Sequence, residues 1–201
     1  MCISGPATTP LVLTVLPGNR NTAGADNPAL VQVNEFVTYT NAGTFNVTNI
    51  DLRLTLTANP SNLRVDLNPA FPNTIILNSP AGGPPAFADP VGIRFDVFAA
   101  GTTTPVQVPL LFTFKDIDDT GSNEAFQLST ADIQSYTLSN APPTDITVVT
   151  SSTNLLGASG SYTLFTNAVS NGADDEERWA NVNFGMTSGF DAIFKKRAFK
   201  G

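Results

Sequence analysis

Apolar residues in this chain return at every second position, segment after segment. Leu52, Leu54 and Leu56 alternate with Arg53 and Thr55. Ile93, Phe95 and Val97 alternate with Arg94 and Asp96, Phe112 and Phe114 with Thr113 and Lys115, and Val182 and Phe184 with Asn181 and Asn183. On an extended strand, successive side chains point to opposite faces, so this spacing buries one face and wets the other. A helix would need apolar residues about every three to four positions, and no long segment has them.

Further strand candidates are Leu11 to Leu16, Val31 to Thr40, Thr74 to Leu77, Val106 to Leu111, Ala125 to Leu128, Ile133 to Leu138, Asp145 to Val149, Ser161 to Thr166 and Phe190 to Phe199. Turn formers separate them, among them Pro17-Gly18-Asn19, Asn41-Ala42-Gly43, Asn140-Ala141-Pro142-Pro143 and Asn171-Gly172. Only Ser129 to Asp132 and Ala173 to Glu177 read as helical turns. The expected fold is an all-β antiparallel β-sandwich with jelly-roll-like topology. Residues 1–201 read as a single domain, with the Gly/Pro-rich stretch 79–88 as a long loop or a boundary.

Composition agrees with that reading. Hydrophobic residues make up 41% of the 201, with 14 Phe, which is enough for a core. Only 13% are charged, against the quarter or so typical of soluble domains, so Thr, Ser and Asn must supply the wet faces. All 17 acids and six of the ten basic residues precede Lys195. The other four bases fall in the basic C-terminal end, 195–201. An acidic body argues against binding a nucleic-acid backbone. The basic end reads as a solvated strand edge, with a nucleic-acid or membrane contact as the other possibility. No apolar run is long enough for a transmembrane helix, and residues 1 to 16 lack the pattern of a signal peptide. Cys2 is the lone cysteine, so no intrachain disulfide forms; its place beside the N-terminus also fits a lipidated residue.

The chemistry concentrates in one acidic cluster. Asp116, Asp118 and Asp119 follow the Phe112/Phe114 strand, and Asn123 and Glu124 precede the next. Gly121 allows a sharp turn between them. Calcium takes six to eight oxygen ligands in irregular geometry, and this loop is rich in them. Without a cation the close aspartates repel one another, so binding would order the loop and stabilise the fold. Asp191, Asp51 and Asp26 are possible distant donors. The competing reading is a polar turn, because Asp, Gly, Ser and Asn are what turns are made of. Asp174-Asp175-Glu176-Glu177 reads as a solvated or capping segment.

Enzymatic chemistry is poorly supplied. Without histidine there is no Ser-His-Asp or Cys-His arrangement and little for zinc. Glycoside hydrolysis needs only two carboxylates, and Glu124 with an aspartate would serve, but the aromatics fall on buried-face positions. The expectation is a protein that is not an enzyme. A carbohydrate-binding module is an alternative, with Trp179 or Tyr39 stacking on a sugar, although both also fit the core. A viral or phage jelly-roll structural protein is another. Asn46-Val47-Thr48 is formally an N-glycosylation acceptor.

Three pieces carry a resemblance: Tyr39-Thr40-Asn41-Ala42-Gly43-Thr44 with Ile50 to Thr55; Phe112 to Asp118 leading to Asn123-Glu124; and Trp179 to Phe184, then Ser188-Gly189-Phe190 and Arg197-Ala198-Phe199. In this order, over about residues 30 to 200, they resemble the degenerate β-sandwich domains of exported bacterial cell-surface proteins. The resemblance implies extracellular display and calcium on Asp116, Asp118 and Glu124, with no enzymatic role. The function expected is a structural or adhesive surface module with a calcium-stabilised loop. Its partners would be further copies of itself, other surface proteins or a polysaccharide.

Overall fold

The computed structural model describes residues 20–24, 31–60, 66–71, 74–78, 90–115, 125–139, 146–167 and 179–195. With strands numbered in chain order, the larger sheet runs β1 (Arg20–Gly24), β2 (Phe36–Phe45), β3 (Thr48–Ala58), β6 (Val91–Ala99), β13 (Gly189–Lys195), β8 (Ala125–Ser129), β11 (Ser159–Asn167), β10 (Ile146–Thr153). The smaller sheet is β7 (Val108–Lys115), β12 (Trp179–Thr187), β9 (Ser135–Leu138), and β4 (Asp66–Phe71) pairs with β5 (Thr74–Asn78) as a separate hairpin. Every pairing is antiparallel. From β6 to β10 the chain changes sheet at each step, and it does so again from β11 to β12 and from β12 to β13. The all-β sandwich expected from the alternation is the fold observed.

The alternation converts directly into the core. Leu52, Leu54 and Leu56 are buried opposite Val97, Phe95 and Ile93. Between the sheets, Phe126 of β8 stacks on Phe114 of β7 at 4.0 Å, and Phe190 of β13 on Phe184 of β12 at 4.0 Å. Phe95 lies beside Phe190, and Phe165 beside Phe126, so one phenylalanine layer, joined through Phe114, runs across β6, β13, β8 and β11. Burying a side chain of this size contributes about 1.5–3 kcal/mol, so this layer accounts for much of what holds the sheets together. Tyr39 belongs to this core and is fully buried; it has no face to offer a sugar.

Several local outcomes differ from the sequence reading. The expected strands Val106 to Leu111 and Phe112 to Phe114 merge into one, β7, which begins at Val108. β2 starts at Phe36 because a turn at Val33 and Asn34, with φ of 72° at Asn34, interrupts the apolar run. β1 and β4 lack the alternation and were not anticipated. The helical turn expected at Ser129 to Asp132 is a 3-10 turn, Thr130–Asp132. β3 and β6 pair although residues 79–88 lie between them in sequence. That segment, Cys2, Leu11 to Leu16, Ala173 to Glu177 and residues 196–201 lie outside the described residues.

Candidate functional site

The outer face of the larger sheet carries the residues that alternate with the core. Register places Thr55, Arg94 and Asp191 side by side across β3, β6 and β13. Tyr162 of β11 lies opposite Ser129 of β8. One row further along, Gly92, Ile193, Gln127 and Leu164 are neighbours. Between these rows lies an open groove of about 430 Å³.

Two glycines shape it. A Cβ on Gly92 would stand 2.8 Å from Thr57 Oγ1, so the bare backbone there lets β3 close in beside the groove floor. A Cβ on Gly160 would stand 2.7 Å from the Tyr162 ring, so that ring occupies the space a side chain would take. Tyr162 is half-buried there and lines the groove.

The far wall is a turn fastened from below. Gln127 faces outward from β8, yet it is only 2% exposed. Its Oε1 accepts the backbone N–H of Leu155 at 2.7 Å, and its Nε2 donates to the carbonyl of Thr153 at 3.3 Å. Within the turn, Asn154 Oδ1 accepts the N–H groups of Leu156 and Ala158 at 3.0 and 2.8 Å. Gly157, at φ 90°, supplies the left-handed residue the reversal needs. The wall is therefore ordered before any ligand arrives.

Electrostatics make the groove acidic. Arg94 Nε donates to Asp96 Oδ1 at 2.8 Å and Arg94 Nη1 to Asp191 Oδ2 at 2.9 Å. Burial pulls the Arg94 guanidinium down, but the bond to Asp96 and the charge of Asp191 outweigh it and hold the group above its ordinary value. Asp132, on the 3-10 turn at the rim, has no such partner among the described residues. It is open to solvent on one side, while desolvation on the other, with the Asp191 charge, pushes its carboxyl above 3.8; Arg94 partly offsets this. One guanidinium thus faces three carboxylates.

The acidic cluster read from the sequence is a separate set of residues. Asp116, Asp118, Asp119, Asn123 and Glu124 lie outside the described residues, between the end of β7 and the start of β8. Those strands belong to different sheets. Of the distant donors considered, Asp51 is 4% exposed and engaged: its Oδ1 accepts the N–H of Asn41 and its Oδ2 that of Gly101, both at 2.8 Å. Asp191 is paired with Arg94, and Asp26 lies outside the described residues. Among the described residues no three acidic or cysteine side chains gather as a metal site. Trp179 opens β12 on the alternation opposite the core residues Ala180 and Val182 and is half-buried.

The groove residues escaped the sequence reading because five strands, a turn and a 3-10 turn contribute them. Gly160 two residues before Tyr162, and Asn154 three before Gly157, are the only local signals.

The fold is similar to a solved structure, the N-terminal domain of the Streptococcus gordonii adhesin Sgo0707, with a TM-score of 0.50 and 13% sequence identity. The match covers 96% of this chain and 62% of that one. The likeness is one of fold. No protein-family model matches the sequence, and no curated protein matches it. No helix among the described residues is long and apolar enough to cross a membrane.

Proposed function

We propose that this protein is an extracellular adhesive module of a cell surface and that the outer-face groove is its contact site. The observation that carries the reading is the wall built by Gln127 and Asn154: a buried amide holds a turn in place over an open groove. Preorganisation of this kind lowers the ordering cost of binding. The fold likeness to an adhesin domain and the sequence resemblance to exported surface proteins support the same reading. The Thr- and Ser-rich strand faces suit contacts that rely on hydrogen bonds rather than net charge.

Display on a non-adherent bacterium tests it. Cells carrying the wild-type domain are expected to adhere to immobilised mucin or epithelial monolayers, and cells carrying Ser129→Trp, which fills the groove from the position opposite Tyr162, are not. Adhesion that is equal for both, or absent from both across such surfaces, would sink the proposal.

Calcium at Asp116, Asp118, Asp119, Asn123 and Glu124 is proposed as a stabiliser of the β7–β8 connection. It rests on the oxygen-rich spacing of that segment. Millimolar calcium should raise the melting temperature over EDTA, and Asp118→Asn should remove the rise. An unchanged melt would reduce the segment to an ordinary polar connection.

A further inference from the structure

Resting on the adhesive reading of the groove, we propose that its ligand is a neutral saccharide, held against Tyr162 and hydrogen-bonded by the carboxylates of Asp132 and Asp191. The groove combines an aromatic ring on its floor side with acceptors and hydroxyls around the rim. A pyranose presents the complement: an apolar face of C–H groups and a ring of hydroxyl donors. Tyrosine suits the first because it offers a rigid, amphipathic surface at small entropic cost.

Asp132 and Asp191 suit the second. Carboxylates accept hydrogen bonds from vicinal hydroxyls and donate none when ionised. Asp132 accepts no hydrogen bond from any described residue, so its acceptor capacity is available. Asp191 is fixed by Arg94 through Oδ2, which leaves Oδ1 directed by an anchored carboxylate. Hydroxyls at Ser129 and Thr57, around the same groove, both donate and accept.

Charge then narrows the class. Arg94 is engaged by Asp96 and Asp191, so no described cation in the groove remains for an anionic sugar. Sialic acids, uronic acids and sulfated sugars would meet carboxylates at short range. Like-charge juxtaposition of this kind is how binding sites reject wrong partners.

The test is an array of oligosaccharides printed as matched pairs, each neutral hexose or N-acetylhexosamine chain beside its sialylated or sulfated form. Retention of neutral members and rejection of their anionic partners is expected. Tyr162→Ala should weaken the best neutral binder by on the order of tenfold, the equivalent of about 1.4 kcal/mol, while Tyr162→Phe retains most of the affinity. Asp132→Asn with Asp191→Asn should admit anionic members that the wild type rejects. Should Tyr162→Ala fail to fold, Ser129→Trp must abolish binding in its place. Retention of anionic glycans alone, or of none, would overturn the assignment. So would adhesion that depends on the groove yet survives periodate oxidation of the target. That last result would leave the adhesive reading standing and point to a peptide ligand.

Discussion

The side-chain oxygen of Gln127 accepts the backbone N–H of Leu155 at 2.7 Å, tying a surface turn to a strand 28 residues away. This bond, with the weaker one to Thr153, makes a buried polar residue on the outer sheet face a builder of the groove wall. Gln127→Leu keeps the size but leaves the Leu155 N–H without its acceptor. Stranding a buried donor costs about 1–3 kcal/mol, so the melting temperature should fall accordingly. Amide exchange should speed up at residues 154–158 well before the core strands respond. Uniform exchange across both regions would show that Gln127 is not a local fastener.

Asp51 plays a comparable part at the other end of the same face. Its two oxygens receive N–H groups from Asn41 and Gly101, both left-handed residues with φ of 50° and 73°. The carboxylate thereby holds an irregularity in β2 and the turn after β6. Hydrogen bonds to a charged group contribute about 1.5–3 kcal/mol each, and losing both at once should cost about 3 kcal/mol or more. Asp51→Ala, followed by urea unfolding, measures this; a loss within experimental scatter would contradict the assigned role.

A stabilising change is also available. The β2–β3 hairpin turns through Asn46 and Val47, at φ of 46° and 62°. Asparagine tolerates that conformation, but a β-branched residue is strained there, and Val47 is 99% exposed with nothing to compensate. Val47→Gly should raise stability by about 1 kcal/mol. Chemical denaturation reads the gain, and an unchanged or lowered midpoint would refute it. The substitution also leaves Asn46 and Thr48 in place, so an effect of glycosylation is not mixed into the result.

Asp132 gives the groove a pH signature. Its carboxyl titrates above 3.8 in the folded chain because of desolvation and the neighbouring Asp191. The folded state therefore binds this proton more tightly than the unfolded state, and ionisation opposes folding. The cost is absent below 3.8 and develops as pH rises through the raised folded value. Asp132→Asn should match the wild type at low pH and equal or exceed it at neutral pH. The difference should be small, because solvent screens a partly exposed group. A variant less stable at neutral pH would reverse the sign of the argument.

The two halves of this molecule differ in how readable they are. Strands such as Leu52/Leu54/Leu56 and Phe112/Phe114 are legible because the side-chain period of an extended chain matches a one-sided core. β1 and β4 are not, because Arg20–Gly24 and Asp66–Phe71 carry no alternation. The groove is less legible still. Ile193 meets Gly92 across 101 positions of sequence only through the β13–β6 register. Gln127 looks like any polar strand residue until the turn at Asn154 folds over it. The acidic segment at 116–124 stands out in sequence because its residues are contiguous, whereas the groove's acids, Asp132 and Asp191, are dispersed.

The most direct measurement is an amide chemical-shift titration of the labelled domain with the neutral oligosaccharide that ranks first on the array. Shifts confined to Gly92, Gln127 to Asp132, Asn154 to Tyr162 and Asp191 to Ile193 are the predicted result. Shifts centred instead on the outer face of the smaller sheet, around Leu111, Asn181 and Met186, or no shifts at millimolar ligand, would contradict the account.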